Sequence, residues 1–164
     1  MNTKKLTICA VIAAAYAALC LLLAPISYQG VQIRLSEALT ILPFIAPYTV
    51  GGLFVGCLLA NLLNPLGINV LDVVFGSLAT LLAGLLTARC KSRWLAPLPP
   101  VLVNAVIVGA VLAYTSAPGP GFWPAFGLFG LEIGIGQLAA CYIGGLLLLG
   151  VLNKTGLSGR LREK

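Results

Sequence analysis

The chain has 164 residues, 60% hydrophobic and only 9% charged, with a mean hydropathy of +1.05. A soluble domain carries about 25% charged residues, so this chain lacks the polar surface to face water. It is read as a single all-α integral-membrane domain over 1–164, with the lipid bilayer as its solvent. Continuous rather than alternating apolar runs argue against a β-barrel.

The net charge of +6 falls in clusters that membrane topology explains, so no nucleic-acid partner is expected. There is no histidine, and Cys9, Cys20, Cys57, Cys90 and Cys141 are scattered and odd in number. Neither a disulfide framework nor a metal site is expected from that spacing.

In chain order, Lys4 and Lys5 precede an apolar run at 6–24. It is longer than the roughly 7–15 residues of a signal-peptide core, and is read as span 1. Pro25 closes it, and a loop follows at 25–32. Span 2, at 36–47, is short. Span 3, at 49–63, ends at Asn64-Pro65-Leu66-Gly67. Span 4 covers 70–88 and leads into the basic loop 89–93. Span 5, at 95–115, carries Pro97, Pro99 and Pro100 in its first turns, where a helix tolerates proline. Residues 116–123 read as a loop around Pro118-Gly119-Pro120-Gly121. Span 6, at 125–152, exceeds what a bilayer core needs and is expected to tilt or protrude.

Charge sets the span count, because Lys and Arg favour cytoplasmic loops. Lys4 and Lys5, then Arg89, Lys91 and Arg93, then Lys154, Arg160, Arg162 and Lys164 fall on one side only if 36–63 holds two spans. The expectation is therefore six transmembrane helices in the plasma membrane with both termini cytoplasmic. Arg34 is then the one basic residue outside.

Apart from Glu163 in the tail, the acids are Glu37, Asp72 and Glu132. A charge at the bilayer centre costs about 2.5–3.5 kcal/mol on insertion scales, so each needs a reason. Arg34 and Glu37, three apart, would share one side of a helix or turn. They are read as the rim of a site. The topology puts Glu37, Asp72 and Glu132, with Asn61 on span 3 and Asn104 on span 5, in the outer half of the bundle. That gathering suggests a pocket open to the exterior. Gly76 and Ala79 beside Asp72, and Gly136 and Ala140 beside Glu132, leave room for a ligand. Phe75, a turn from Asp72, is placed to stack on a planar ring or to pack the core. Phe122 and Trp123 are interfacial anchors or a cap.

Plainer readings exist. The asparagines serve equally as interhelical glue. Glu37 pairs with Arg34, and Asp72 complements a helix N-terminus. Glu132 is deepest and has no basic neighbour, so it is the hardest to explain structurally.

Small-residue ladders mark close packing: Ala10, Ala14 and Ala18 with Ala13 and Ala17 on span 1, Gly52 and Gly56 on span 3, Gly130 and Gly134 on span 6. The span 1 ladder is the candidate for docking another membrane subunit. Residues 150–155 depart from a phosphate loop at Asn153, so ATP hydrolysis is not expected of this chain. Without histidine there is no Ser-His relay either.

The stretches VQIRLSEALTILPF (31–44), GLFVGCLLANLL (52–63), LDVVFGSLATLLA (71–83) and WLAPLPPVLVNAVIVG (94–109) resemble the queuosine-precursor transporter family. Its members are substrate-binding S components of energy-coupling factor (ECF) importers. The resemblance runs from span 1 to span 6 and is least distinctive in the last helix, around Glu132. It implies a six-helix, non-catalytic subunit that captures a 7-deazaguanine such as preQ1, preQ0 or queuine from outside. Its implied partners are a transmembrane coupling protein, contacted by Ala10, Ala14 and Ala18, and two ATPase subunits. The implied acceptors are Glu37, Asp72 and Glu132, with Arg34 as rim or gate, Phe75 for stacking, and Asn61 and Asn104 as orienters. No cofactor is implied. The competing readings are a proton-coupled secondary carrier relayed by Glu132 or Asp72, an S component for another vitamin, and a purely structural membrane protein.

Overall fold

The computed structural model describes residues 2–27 and 34–162. Most of the expected loop at 25–32 therefore lies outside the described residues, as do Glu163 and Lys164. Three helices are long and apolar enough to cross a membrane: α1 (Thr3–Leu22), α5 (Leu98–Ser116) and α6 (Gly119–Lys154). Three shorter apolar helices accompany them: α2 (Leu35–Ile45), α3 (Pro47–Leu62) and α4 (Asp72–Ala88). A short basic helix, α7 (Leu157–Arg162), ends the described chain. No strand occurs among the described residues, and the chain is an all-α membrane bundle.

Local chemistry sets the boundaries. Asn2 caps α1, its side-chain oxygen accepting from the Lys4 amide at 3.3 Å. Pro97 precedes α5, and Pro99 and Pro100 occupy the first turn, where the backbone N–H groups have no helical partner to lose. The expected loop at 116–123 is mostly helix. A positive φ of 79° at Gly119 makes the turn, and α6 starts there rather than at 125. At 36 residues, α6 spans about 54 Å, well beyond a hydrocarbon core of about 30 Å.

Two helices depart from α geometry where they face α2 or carry polar groups. α4 opens with a π-helical stretch, Asp72–Gly76, and α6 contains another, Ala139–Gly145. α2 is itself irregular, a 3₁₀ segment Leu35–Ile41 followed by one α turn, Leu42–Ile45.

The helices close into a ring in the order α1, α3, α4, α5, α6, α2, with α2 also touching α4. Close approach depends on residues without bulk. A Cβ added at Gly52 would lie 2.6 Å from the Cys9 carbonyl oxygen, and one at Gly56 2.8 Å from that of Ala13. These contacts run in register, so α1 and α3 are parallel. On the other side of α1, α2 runs the opposite way, with Tyr16 meeting Glu37 and Cys20 meeting Ser36. Gly109 abuts Gly130, and Gly134 lies against Ala105, so α5 and α6 are antiparallel. The Thr87 hydroxyl donates to the Ala96 carbonyl at 3.1 Å across the turn between α4 and α5.

Successive helices thus alternate in direction. Lys4, Lys5, Arg89, Lys91, Arg93, Lys154, Arg160 and Arg162 gather at one end of the bundle. The Lys5 ammonium sits 5.4 Å from the Tyr48 ring there, and Arg93 and Trp94 border a groove with Leu149 and Asn153.

The Gly52 and Gly56 ladder is therefore internal packing. Gly56→Val is expected to destabilise the bundle by about 1–3 kcal/mol through overpacking. Gly51→Ala, at an exposed position with nothing near its Cβ, should change stability by less than about 0.5 kcal/mol. Thermal unfolding in detergent compares the two.

Candidate functional site

The site begins with α2, the most enclosed element. Ser36, Glu37, Thr40 and Ile41 are all buried on it, and Arg34 just before it is only 4% exposed. Arg34 adopts an extended conformation, φ −84° and ψ 97°, so it does not share a helical face with Glu37. Its guanidinium instead reaches α4 and donates to Asp72 Oδ2 at 3.1 Å. Arg34 is accordingly not at a water-facing rim, and it does not form its ion pair with Glu37. The desolvated cation takes a hydrogen-bonded anion, because an unpaired charge in this interior is costly.

Glu37 turns toward α1 and accepts a hydrogen bond from the Tyr16 hydroxyl through Oε1. Tyr16 is fully enclosed. Asn104 of α5 approaches the same carboxylate. On the far side, Cys141 in the π-helical stretch of α6 lies 3.4 Å from Gln137 Oε1 and 3.7 Å from the Glu37 carbonyl oxygen. Gly144 and Gly145 admit Ala38 and Ile41 of α2 against that stretch. On α3, Asn61 donates from Nδ2 to the Asp72 carbonyl at 3.1 Å, which fixes the amide orientation.

Among the described residues, five buried side-chain atoms have no hydrogen-bond partner within the protein: Glu37 Oε2, Asn61 Oδ1, Asp72 Oδ1, Ser77 Oγ and Asn104 Nδ2. More than about 90% of buried polar groups in folded proteins find a partner. These exceptions lie on α2, α3, α4 and α5 and include both acceptors and a donor.

The structure therefore brings together Arg34, Glu37, Asn61, Asp72 and Asn104. It does not bring Phe75 or Glu132 to them. In the π-helical opening of α4, Asp72, Val73, Gly76 and Ser77 face inward, which leaves Val74 and Phe75 outside. Phe75 is 46% exposed and lines an apolar groove of about 590 Å³ with Leu71, Val106, Ile107, Tyr114 and Phe122. Glu132 is half-buried, at the edge of the inward stripe formed by Ile133, Gly136, Gln137 and Ala140. Among the described residues it makes no side-chain hydrogen bond or ion pair.

The expectation that the polar groups keep to one half of the bundle also needs amending. Asn104 is only the seventh residue of α5, counted from the basic end, so the cluster crosses the middle. Phe122 and Trp123 form an aromatic group with Phe126, centroids 5.2–6.4 Å apart, and Trp123 is 74% exposed. That geometry suits an interfacial anchor. Ala10, Ala14 and Ala18 are exposed along α1, while Ala13 and Ala17 pack inward.

Tyr16, Ser77 and Gln137 were not singled out from the sequence. Tyr16 had a signal: with Cys9, Ile12, Ala13 and Cys20 it recurs at helical spacing on one face, and a buried tyrosine hydroxyl usually has a partner. Gln137 had one too, as an amide within an apolar run.

Removing one member of the ion pair strands the other. Arg34→Met is expected to cost about 3–5 kcal/mol, and Arg34→Met with Asp72→Leu to recover most of that loss. Thermal unfolding of both variants in detergent measures the difference.

No curated protein and no solved structure matches the chain. A family model does: that of the QueT transporter, over residues 6–154. That match takes in α2 to α6 and all but the first three residues of α1, so the chain belongs to the QueT transporter family, the queuosine-precursor transporters that its motifs resemble.

Proposed function

We propose that this chain is the S component of an ECF-type importer and binds a 7-deazaguanine from outside the cell. The observation that carries the reading is the pair of buried acceptors without a protein partner, Asn61 Oδ1 and Asp72 Oδ1, in the same membrane-bundle interior as a Glu37 carboxylate that Asn104 approaches. A guanine-like edge presents adjacent N–H donors and a carbonyl. A carboxylate accepts the first as charge-assisted hydrogen bonds, and an amide donates to the second. Asp72 and Asn61 add further acceptors, and Arg34 holds Asp72 in place. Phe75 has no stacking role in this arrangement, and Glu132 no direct one.

The proposed orientation puts the basic end in the cytoplasm, as the charge rule favours, with six spans and both termini inside. Arg34 and Asp72 then lie toward the exterior. The chain itself carries out no reaction. ATP hydrolysis belongs to two ATPase subunits bound through a transmembrane coupling protein. The exposed Ala10, Ala14 and Ala18 stripe on α1 supports that docking role, since small side chains let another helix approach closely in lipid.

Titration of the detergent-purified subunit with preQ1, preQ0, queuine and several vitamins tests the reading. Saturable binding of a deazapurine is expected, and Glu37→Gln should weaken it by about tenfold or more through loss of a charge-assisted acceptor. Folded protein that binds no deazapurine would count decisively against this function. Uptake that persists without ATPase partners and follows a proton gradient would favour a self-contained carrier instead.

Docking has its own test. Ala14→Leu is expected to leave deazapurine binding intact while reducing co-purification with the coupling protein. Equal co-purification of variant and wild type would remove α1 from the interface.

A further inference from the structure

Arg93 and Trp94 sit at the basic end of the bundle, on the turn between α4 and α5. Backbone hydrogen bonds hold that turn. The Ser92 carbonyl accepts from the amides of Leu95 and Ala96, both at 3.1 Å, and the Ser92 hydroxyl oxygen accepts from the Trp94 amide at 3.3 Å. The last turns of α6 complete a groove of about 190 Å³ lined by Arg93, Trp94, Leu146, Leu149, Gly150 and Asn153. Gly150 keeps it open, since the position is exposed and a Cβ there would meet nothing within 4 Å.

The groove crosses a boundary of polarity. From Leu146 to Asn153, α6 rises about 10 Å, more than the roughly 5–7 Å of one headgroup layer. Ile143, Leu147 and Val151, successive turns of α6, are exposed and apolar, which carries lipid contact to the level of Val151. Asn153 and Lys154 then stand among headgroups. Trp94 is exposed at the same end, an aromatic of the kind that favours this interface.

Charge points to an anion. The Arg93 guanidinium lies 5.1 Å from the centroid of the Trp94 ring and has no hydrogen-bonded or ion-paired partner among the described residues. Of the described acids, Glu37 and Asp72 are enclosed in the interior. Glu132 precedes Leu146 by fourteen residues of α6, about 21 Å along its axis. The Asn153 amide, exposed beside Lys154, adds a neutral donor to the cation. Phosphate oxygens accept from both.

We propose that this groove binds the headgroup of an anionic phospholipid, with phosphate oxygens on Arg93 and Asn153 and the start of an acyl chain along Leu146 and Leu149. The site is separate from the polar interior and does not depend on which guest that interior takes. A free phosphate would use the cation and leave the apolar wall uncovered. A zwitterionic headgroup would bring its own cation toward Lys154 and Arg93.

Trp94 reports occupancy. The chain has two tryptophans, and Trp123 is at the opposite end of α6, so Trp123→Phe leaves Trp94 as the sole indole. In that background the full chain is reconstituted into phosphatidylcholine vesicles. They contain brominated phosphatidylglycerol or, at the same mole fraction, brominated phosphatidylcholine, and Trp94 quenching is compared with unbrominated lipid in each case. Phosphatidylglycerol is expected to occupy the groove about fivefold more strongly than phosphatidylcholine. Arg93→Gln should bring that ratio to within about twofold of one. Gly150→Leu, which keeps every charge and fills the groove, should do the same. Arg160→Gln removes an equal charge on α7 and should leave the ratio unchanged.

Equal quenching by the two lipids in the Trp123→Phe background would overturn the proposal and leave the groove to an acidic segment of a partner protein. A preference that survives Arg93→Gln or Gly150→Leu would overturn it too. So would equal losses in Arg93→Gln and Arg160→Gln, since the attraction would then belong to the whole basic end. A preference abolished by inorganic phosphate at constant ionic strength would make the groove a site for the free anion, and the lipid would be excluded as its occupant.

Discussion

The constraint on which the rest depends is the burial of charge within an apolar bundle. Arg34, Glu37 and Asp72 are each at most 8% exposed. Their desolvation is tolerated only where hydrogen bonds and opposite charge stand ready. Arg34 and Asp72 meet that condition for each other at 3.1 Å. Glu37 meets it by half, through Tyr16. The irregular backbone follows from the same demand. A regular helix through 34–37 would keep Arg34 beside Glu37. The extended conformation at Arg34 sends the guanidinium to α4 instead, and the 3₁₀ winding after it carries Glu37 toward α1 and α5.

Reaching across the bundle requires helices that lie close, and the small residues provide this. Gly52 and Gly56 seat α3 on α1, Gly109 and Gly130 join α5 to α6, and Gly144 and Gly145 receive α2. α2 is thereby enclosed on several sides, which explains how so short an element persists in a membrane. Its polar groups are met by protein rather than lipid. The Thr40 hydroxyl, for example, donates to the Glu37 carbonyl at 2.6 Å.

The fold was legible because its signals are long and redundant. Six apolar runs, punctuated by Pro25, Asn64-Pro65 and the 89–93 basic loop, mark the helices to within a few residues at most ends. The exceptions have physical reasons. Gly119 turns the chain so tightly that the expected 116–123 loop became helix. The site was legible in part. Scarce acids and amides in apolar runs pointed to Glu37, Asp72, Asn61 and Asn104, which the bundle does gather. Their pairing was not legible, since spacing along a helix says nothing of a residue held in an extended conformation. Phe75 misled for a related reason: π-helical winding in Asp72–Gly76 changes which residues share a face. Tyr16 and Gln137 carry no charge and barely disturb hydropathy, so a search for charges passed over them. Glu132 drew attention for its charge, yet it borders the inward stripe.

A structural role alone accounts poorly for the half-satisfied cluster. If Glu37, Asn61, Asp72 and Asn104 served only to join helices, selection for stability would favour partners for every buried atom. Replacement by apolar side chains of similar shape would serve better still, since a buried ion pair is often no more stabilising than a packed hydrophobic one. A buried polar atom left without any partner costs about 1–3 kcal/mol, and several such atoms lie in this interior among the described residues. A pre-organised polar interior of this kind makes sense where a guest supplies the missing partners. Its cost to the free protein then reappears as affinity and selectivity in the complex, because a guest lacking those partners leaves the groups unpaired. The reliance of the bundle on Arg34 and Asp72 and the readiness of Glu37, Asn61 and Asn104 for further hydrogen bonds are thus two aspects of one arrangement. The ion pair holds the polar interior together, and under the proposed function the unpaired atoms around it set what that interior would recognise.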